Sequence, residues 1–100
     1  MKELELSLAL ENAFRAFSLE MDFDRDTIMS DPAKAIDSGL RRLEGHGAIS
    51  KEDLRGLMYP RDWENMTFRE VLATSDGENA ILDLIERLRF WRKRNEENVQ

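Results

Sequence analysis

SDGENAILDLIERLRFWRKRN, residues 75–95, is the stretch whose reading decides the fold. Stepping about 100° per residue from Ile81 places Ala80, Ile81, Leu84, Ile85, Leu88 and Trp91 within one arc, broad enough to face a core. Asp83 precedes Arg87 by four residues, the favourable order for an ion pair along a helix. Ser75 with Glu78 three positions on has the spacing of a capping box, Asp76 is a competing cap, and Gly77 loosens the start. Arg87 to Arg94 holds five cations and two aromatics in eight residues, and cations there suit the negative end of a helix dipole. Phe90 projects roughly opposite the apolar stripe, so on a helix packed along one side it faces water.

Working back from this helix, the chain repeats one start signal. Met66, Thr67, Glu70 and Val71 give a capped helix with Phe68, Val71 and Leu72 inward. Ile49, Ser50, Asp53 and Leu54 give another, with Ile49 stapling to Leu54, and that helix ends before Pro60. Asp31-Pro32 is a cap followed by proline at the first helical position. It opens a helix to about Glu44 that carries Ile36, Leu40 and Leu43 inward and an Asp37–Arg41 pair outward, with Gly45 as a left-handed stop. Asp22 to Ser30 reads as a loop or frayed turn. Towards the N-terminus, Leu6, Leu10, Ala13, Phe14, Phe17 and Met21 share a helical face, and a helix is expected from about Glu3 to Glu20. Leu4, Leu6, Leu8 and Leu10 also alternate as in a strand, so a short N-terminal strand pairing across a dimer is the alternative. The expectation is an all-α fold. It is a single helical domain over residues 1–100, a compact bundle of about five helices with the longest at the two ends.

Composition narrows the function. Charged residues are 36% of the chain, against about 25% in ordinary domains, which suits a small helical protein with a charge-laced surface. The net charge of −6 argues against a general nucleic-acid binder. The charge is polarised. Residues 1–31 hold eight acids against three bases, while the C-terminal helix is basic. There is no cysteine, which removes disulfides, thiol nucleophiles and cysteine-held zinc or iron–sulfur centres. No apolar run spans a membrane and no signal-peptide pattern opens the chain, so a cytoplasmic protein without membrane association is expected.

Two segments imitate calcium loops. Arg42 to Asp53 resembles an EF-hand loop, with Gly47 at the turn, Ile49 at the central apolar position, Ser50 at the ninth and Asp53 where the bidentate Glu stands. Arg42 at the first ligand position and His46 at the fifth defeat the chemistry. Asp22, Asp24 and Asp26 open a similar loop that stops after three residues. No metal or cofactor is expected. His46 between two glycines reads as a surface turn residue, and nothing singles out a carboxylate pair, a nucleophile or a phosphate loop, so no enzymatic activity is expected.

What remains is binding. Glu20, Asp22, Asp24 and Asp26 form an anionic candidate patch for a basic partner. Tyr59 and Trp63, in the turn YPRDW, are candidate aromatic anchors or lids over the core. Phe90 and Arg94 are candidates on the last helix. In size, acidity and helical make-up the chain resembles small phage-encoded inhibitors of the anti-CRISPR type. That resemblance implies stoichiometric binding to a larger protein or nucleoprotein, occlusion of its basic DNA-binding surface, and a host-cytoplasmic setting. Two alternatives stand beside it. One is a nucleic-acid-binding regulator using Arg87, Arg89, Arg92, Lys93 and Arg94. The other is a small structural subunit or homodimeric adaptor joined through the last helix, which would cover Phe90.

Overall fold

The computed structural model describes residues 2–20, 24–57 and 61–98, and only the backbone of Arg61, Asp62 and Asn98. The chain is all-α. Helices α1 (Lys2–Arg15), α2 (Arg25–Ser30), α3 (Pro32–Gly45), α4 (Lys51–Arg55), α5 (Phe68–Ala73) and α6 (Gly77–Asn98) follow in order, with a 3₁₀ turn at Arg61–Asn65 between α4 and α5. No strand occurs among the described residues.

The spine is α6, 22 residues long. Its stripe behaves as the spacing predicts: Ile81, Leu84, Ile85, Leu88 and Trp91 are all buried. Helices α1 and α5 pack along it, α2 lies against α1, α3 and α5, and α3 packs on α4 and the 3₁₀ turn. Lys2 and Glu78 pair at 2.7 Å, so α1 and α6 begin side by side, and Arg69 reaches back to Glu3 at 3.1 Å to tie α5 to the same end. One connected core joins Leu6, Leu10 and Phe14 of α1, Ile28 of α2, Ile36, Leu40 and Leu43 of α3, Phe68 and Val71 of α5, and the α6 stripe. Among the described residues, Ser7 is the buried polar one, and its hydroxyl donates to the Leu4 carbonyl at 2.9 Å.

Four local expectations are corrected. First, α1 ends at Arg15 rather than near Glu20. The chain tightens there, with Phe17 N–H donating to the Phe14 carbonyl, and Ser18 takes φ = 60°. A left-handed residue reverses the chain and stops the helix, which lets Phe17 and Leu19 fold back onto the core. Shortened in this way, α1 has 14 residues, the same as α3. The strand alternative is also removed, because Leu4 to Leu10 lie within α1. Second, part of the expected Asp22–Ser30 loop is helix α2. Asp24 caps it by accepting from Thr27 N–H at 3.0 Å and Thr27 Oγ1 at 3.1 Å, and Ile28 is fully buried.

Third, the left-handed glycine after α3 is Gly47, at φ = 76°, and Gly45 is the last helical residue. Ala48 N–H donates to the Leu43 carbonyl at 2.8 Å and Gly47 N–H to Glu44 at 3.0 Å, the paired bonds of a Schellman stop. Fourth, no capping box forms at Ser75. Helix α6 starts at Gly77, Ala80 N–H bonds the Asp76 carbonyl at 2.9 Å, and Glu78 is engaged by Lys2 instead.

The two remaining boxes form as expected. Ser50 Oγ accepts from Asp53 N–H at 3.0 Å while Asp53 accepts from Ser50 N–H at 2.9 Å. Thr67 and Glu70 repeat the arrangement at 3.2 and 3.0 Å. Asp31 with Pro32 opens α3, and Arg41 pairs with Asp37 at 3.0 Å. Among the described residues, no helix is long and apolar enough to cross a membrane.

Candidate partner-binding surfaces

The first surface forms where the start of α2 meets α1. Asp24 and Asp26 lie at the cap and first turn of α2, and both are exposed. They line one shallow depression with Glu11 and Arg25. Glu11 is legible in the sequence only as the partner of Arg15, a pair 3.8 Å long. Its place beside the aspartates depends on α1 and α2 packing together, which no local spacing reveals. The Thr27 backbone and hydroxyl bonds hold the Asp24 carboxyl below the usual aspartate range, because both donors favour the ionised form. Asp24 therefore carries its charge firmly. Glu20 is exposed on the stretch leading towards this surface, and its carbonyl accepts from Arg42 Nε at 2.7 Å. Asp22 lies outside the described residues.

The second surface is the outward side of α6. Phe90 is 64% exposed, in agreement with its place opposite the stripe. Leu82, Glu86, Arg89, Lys93 and Glu97 share this side and are exposed with it. Most of the basic cluster is already neutralised within the chain. Arg87 pairs with Asp83 at 2.9 Å, Arg92 with Glu96 at 2.8 Å and Arg94 with Asp53 at 2.8 Å. Among the described residues, only Arg89 and Lys93 of the five cations have no ion-pair partner.

Arg94 thus belongs to an internal clamp, which corrects its place among the free surface cations. The clamp holds the far end of α6 to the first turn of α4, and Asn95 Nδ2 adds a bond to the Ala48 carbonyl, in the loop after α3, at 2.8 Å. Asp53, where the calcium-loop reading puts the closing ligand, serves the α4 cap and this clamp. Trp63, expected as an anchor, is 3% exposed. It lines a pocket of about 150 Å³ with Ile36, Leu40, Leu57 and Leu84, with Asp83 and Arg87 also in the wall. The indole is packed inward because the 3₁₀ turn docks on α3, so it offers no face to a partner. Tyr59 lies outside the described residues. Among the described residues, no three His, Asp or Glu side chains are grouped to hold a metal ion.

No protein-family model matches this chain, and neither a curated protein nor a solved structure matches it.

Proposed function

We propose that the protein acts by stoichiometric binding to a larger protein with a basic surface, as an inhibitor or regulator, through the acidic face built by Glu11, Asp24 and Asp26. The observation that carries this reading is the way the charges sort. The acids of α2 stay exposed and without ion pairs among the described residues, while three of the five α6 cations are spent on Asp53, Asp83 and Glu96. A nucleic-acid strip on α6 is left with Arg89 and Lys93 alone, flanked by Glu86 and Glu97 on a chain of net charge −6, which is a poor match for a phosphate backbone. Two exposed aspartates, Asp24 held by Thr27, beside the half-buried Glu11 and an arginine steer and orient a cationic partner. Basic surfaces of that kind are where nucleic-acid-handling proteins hold DNA or RNA. Competition for such a surface is the action implied by the resemblance to anti-CRISPR-type inhibitors.

The test is capture from a cell lysate on immobilised protein, beside the triple variant Glu11→Gln, Asp24→Asn, Asp26→Asn. Asparagine keeps the α2 cap, since it caps as well as aspartate. The reading expects a retained species that the variant fails to hold and that DNA or added salt displaces. A species held equally by both proteins removes the acidic face from the interaction. A gel shift of labelled DNA or RNA by the protein itself at low salt favours the nucleic-acid reading in its place.

A further inference from the structure

We infer that the outward side of α6 is a self-association surface, covered by α6 of a second copy running antiparallel to it, with the two-fold axis passing between Arg89 and Phe90. The inference is independent of the acidic face, which lies on α1 and α2.

Leu82, Glu86, Arg89, Phe90, Lys93 and Glu97 recur at three- and four-residue steps and form one seam along α6. Glu86 and Lys93 lie on the same line of that seam, seven residues apart, which is about 10.5 Å of helical rise. They form no ion pair with one another, and neither has another partner among the described residues. Both are exposed. A single copy therefore presents an acid and a base in line, with an exposed aromatic and a free arginine between them.

A two-fold axis between residues 89 and 90 sets residue n of one copy opposite residue 179 − n of the other. Glu86 then faces Lys93 of the second copy, and Lys93 faces its Glu86. Arg89 faces Phe90 in both directions, which places a guanidinium against each exposed ring, a cation–π arrangement. Leu82 falls against the methylenes of Glu97. Glu86, Arg89 and Lys93, which have no ion-pair partner among the described residues of the single chain, and the exposed Phe90 each acquire a partner of matching chemistry in this register. A parallel pairing in register sets Glu86 on Glu86 and Lys93 on Lys93, and like charges opposed across an interface are disfavoured. The seam matches itself only when the second copy is reversed. A closed two-fold pair of this kind uses the same patch twice and stops at two.

Sedimentation velocity over roughly two decades of concentration up to about 0.5 mM tests this. Four samples are needed: the unaltered protein, Glu86→Lys, Lys93→Glu, and an equimolar mixture of the two variants. All substituted positions are exposed, and circular dichroism checks that the helices persist. The unaltered protein is expected to shift from monomer to dimer. Each variant alone sets like charges opposite one another and loses at least ~10-fold in dimer affinity. In the mixture, the lysine introduced in one variant faces the glutamate introduced in the other. At the opposite end the retained Lys93 faces the retained Glu86, so the dimer returns. A protein that stays monomeric throughout overturns the inference. So does dimerisation that neither variant weakens, or a mixture that stays as monomeric as its components, because either outcome breaks the antiparallel register.

Discussion

Oδ2 of Asp53 accepts from Arg94 Nη2 at 2.8 Å and from Ser50 N–H at 2.9 Å, so one oxygen both caps α4 and anchors the far end of α6. The Arg94 bond first, and the Ser50 bond second, hold this carboxyl below its ordinary value of 3.8. A folded-state pKa below the unfolded one contributes stability that is present above pH 3.8 and is lost as pH falls through the folded value. Asp24 and Glu70 shift in the same direction, each through the cap N–H it accepts from. The thermal midpoint is therefore expected to hold from neutrality to about pH 5 and to decline below it. In Asp53→Asn the midpoint starts lower and the acid decline is shallower. Melting curves between about pH 7 and about pH 2 check this, and equal acid slopes in the two proteins would show that Asp53 does not contribute.

Gly77 is held by the Val71 carbonyl. A Cβ at residue 77 would overlap that oxygen and come within 2.5 Å of Thr74 Oγ1. The oxygen has little freedom to retreat, since it accepts from both Thr74 N–H at 3.1 Å and Thr74 Oγ1 at 2.7 Å. Gly77→Ala is expected to cost more than about 3 kcal/mol, in the range of severe steric defects. Asp76→Ala, one residue earlier, changes an exposed side chain and should stay within about 0.5 kcal/mol. Urea titrations of the two variants make the comparison, and a mild effect at Gly77 would mean that the α5–α6 corner can open.

These two relationships mark what is legible in the sequence. Signals carried within four or five residues can be read: the Ser50–Asp53 and Thr67–Glu70 boxes, Asp31-Pro32, the α6 stripe and the outward Phe90. Features set by packing between distant segments cannot. Arg94 looks like one more surface cation because Asp53, its partner, is 41 residues away. Glu11 joins Asp24 only after α1 turns at Ser18, and nothing about a serine announces φ = 60°. Gly77 reads as a loosened helix start, whereas its cause is a carbonyl at the end of the previous helix. Asp24 with Thr27 and Ile28 does carry a local cap signal for α2, but the density of acids around it favours a loop.

Gly39 is a second close approach, between α1 and α3. A Cβ there would lie 2.6 Å from Phe14 Cε1 and 3.0 Å from two further ring carbons. Phe14 is fully buried, so its ring moves only by displacing core neighbours. Gly39→Ala is expected to destabilise by about 1–3 kcal/mol, as overpacked cores do, which lowers the melting temperature by roughly 4–8 °C per kcal/mol in a domain this size. Phe14→Leu makes room, so the double variant should lose less than the sum of the two singles. Strict additivity in a double-mutant cycle would locate the cost elsewhere.

Leu88 and Phe90 stand two residues apart on α6 with opposite environments. Leu88 is fully buried against the core, and Phe90 is the most exposed large apolar side chain among the described residues. Truncating Leu88 to alanine removes buried methylenes and leaves a cavity, a change that costs about 2–5 kcal/mol. Truncating Phe90 in the dilute protein, where each copy is alone, removes surface already in water and should alter stability by less than about 0.5 kcal/mol. At high concentration the two variants part in a second way. Phe90→Ala loses the ring that faces Arg89 of a second copy and should remain monomeric, while any folded Leu88→Ala keeps the seam and should still pair. Chemical denaturation at low concentration and sedimentation at high concentration read the two effects separately. A large loss of stability for dilute Phe90→Ala would place that ring in an intramolecular contact and remove it from the seam.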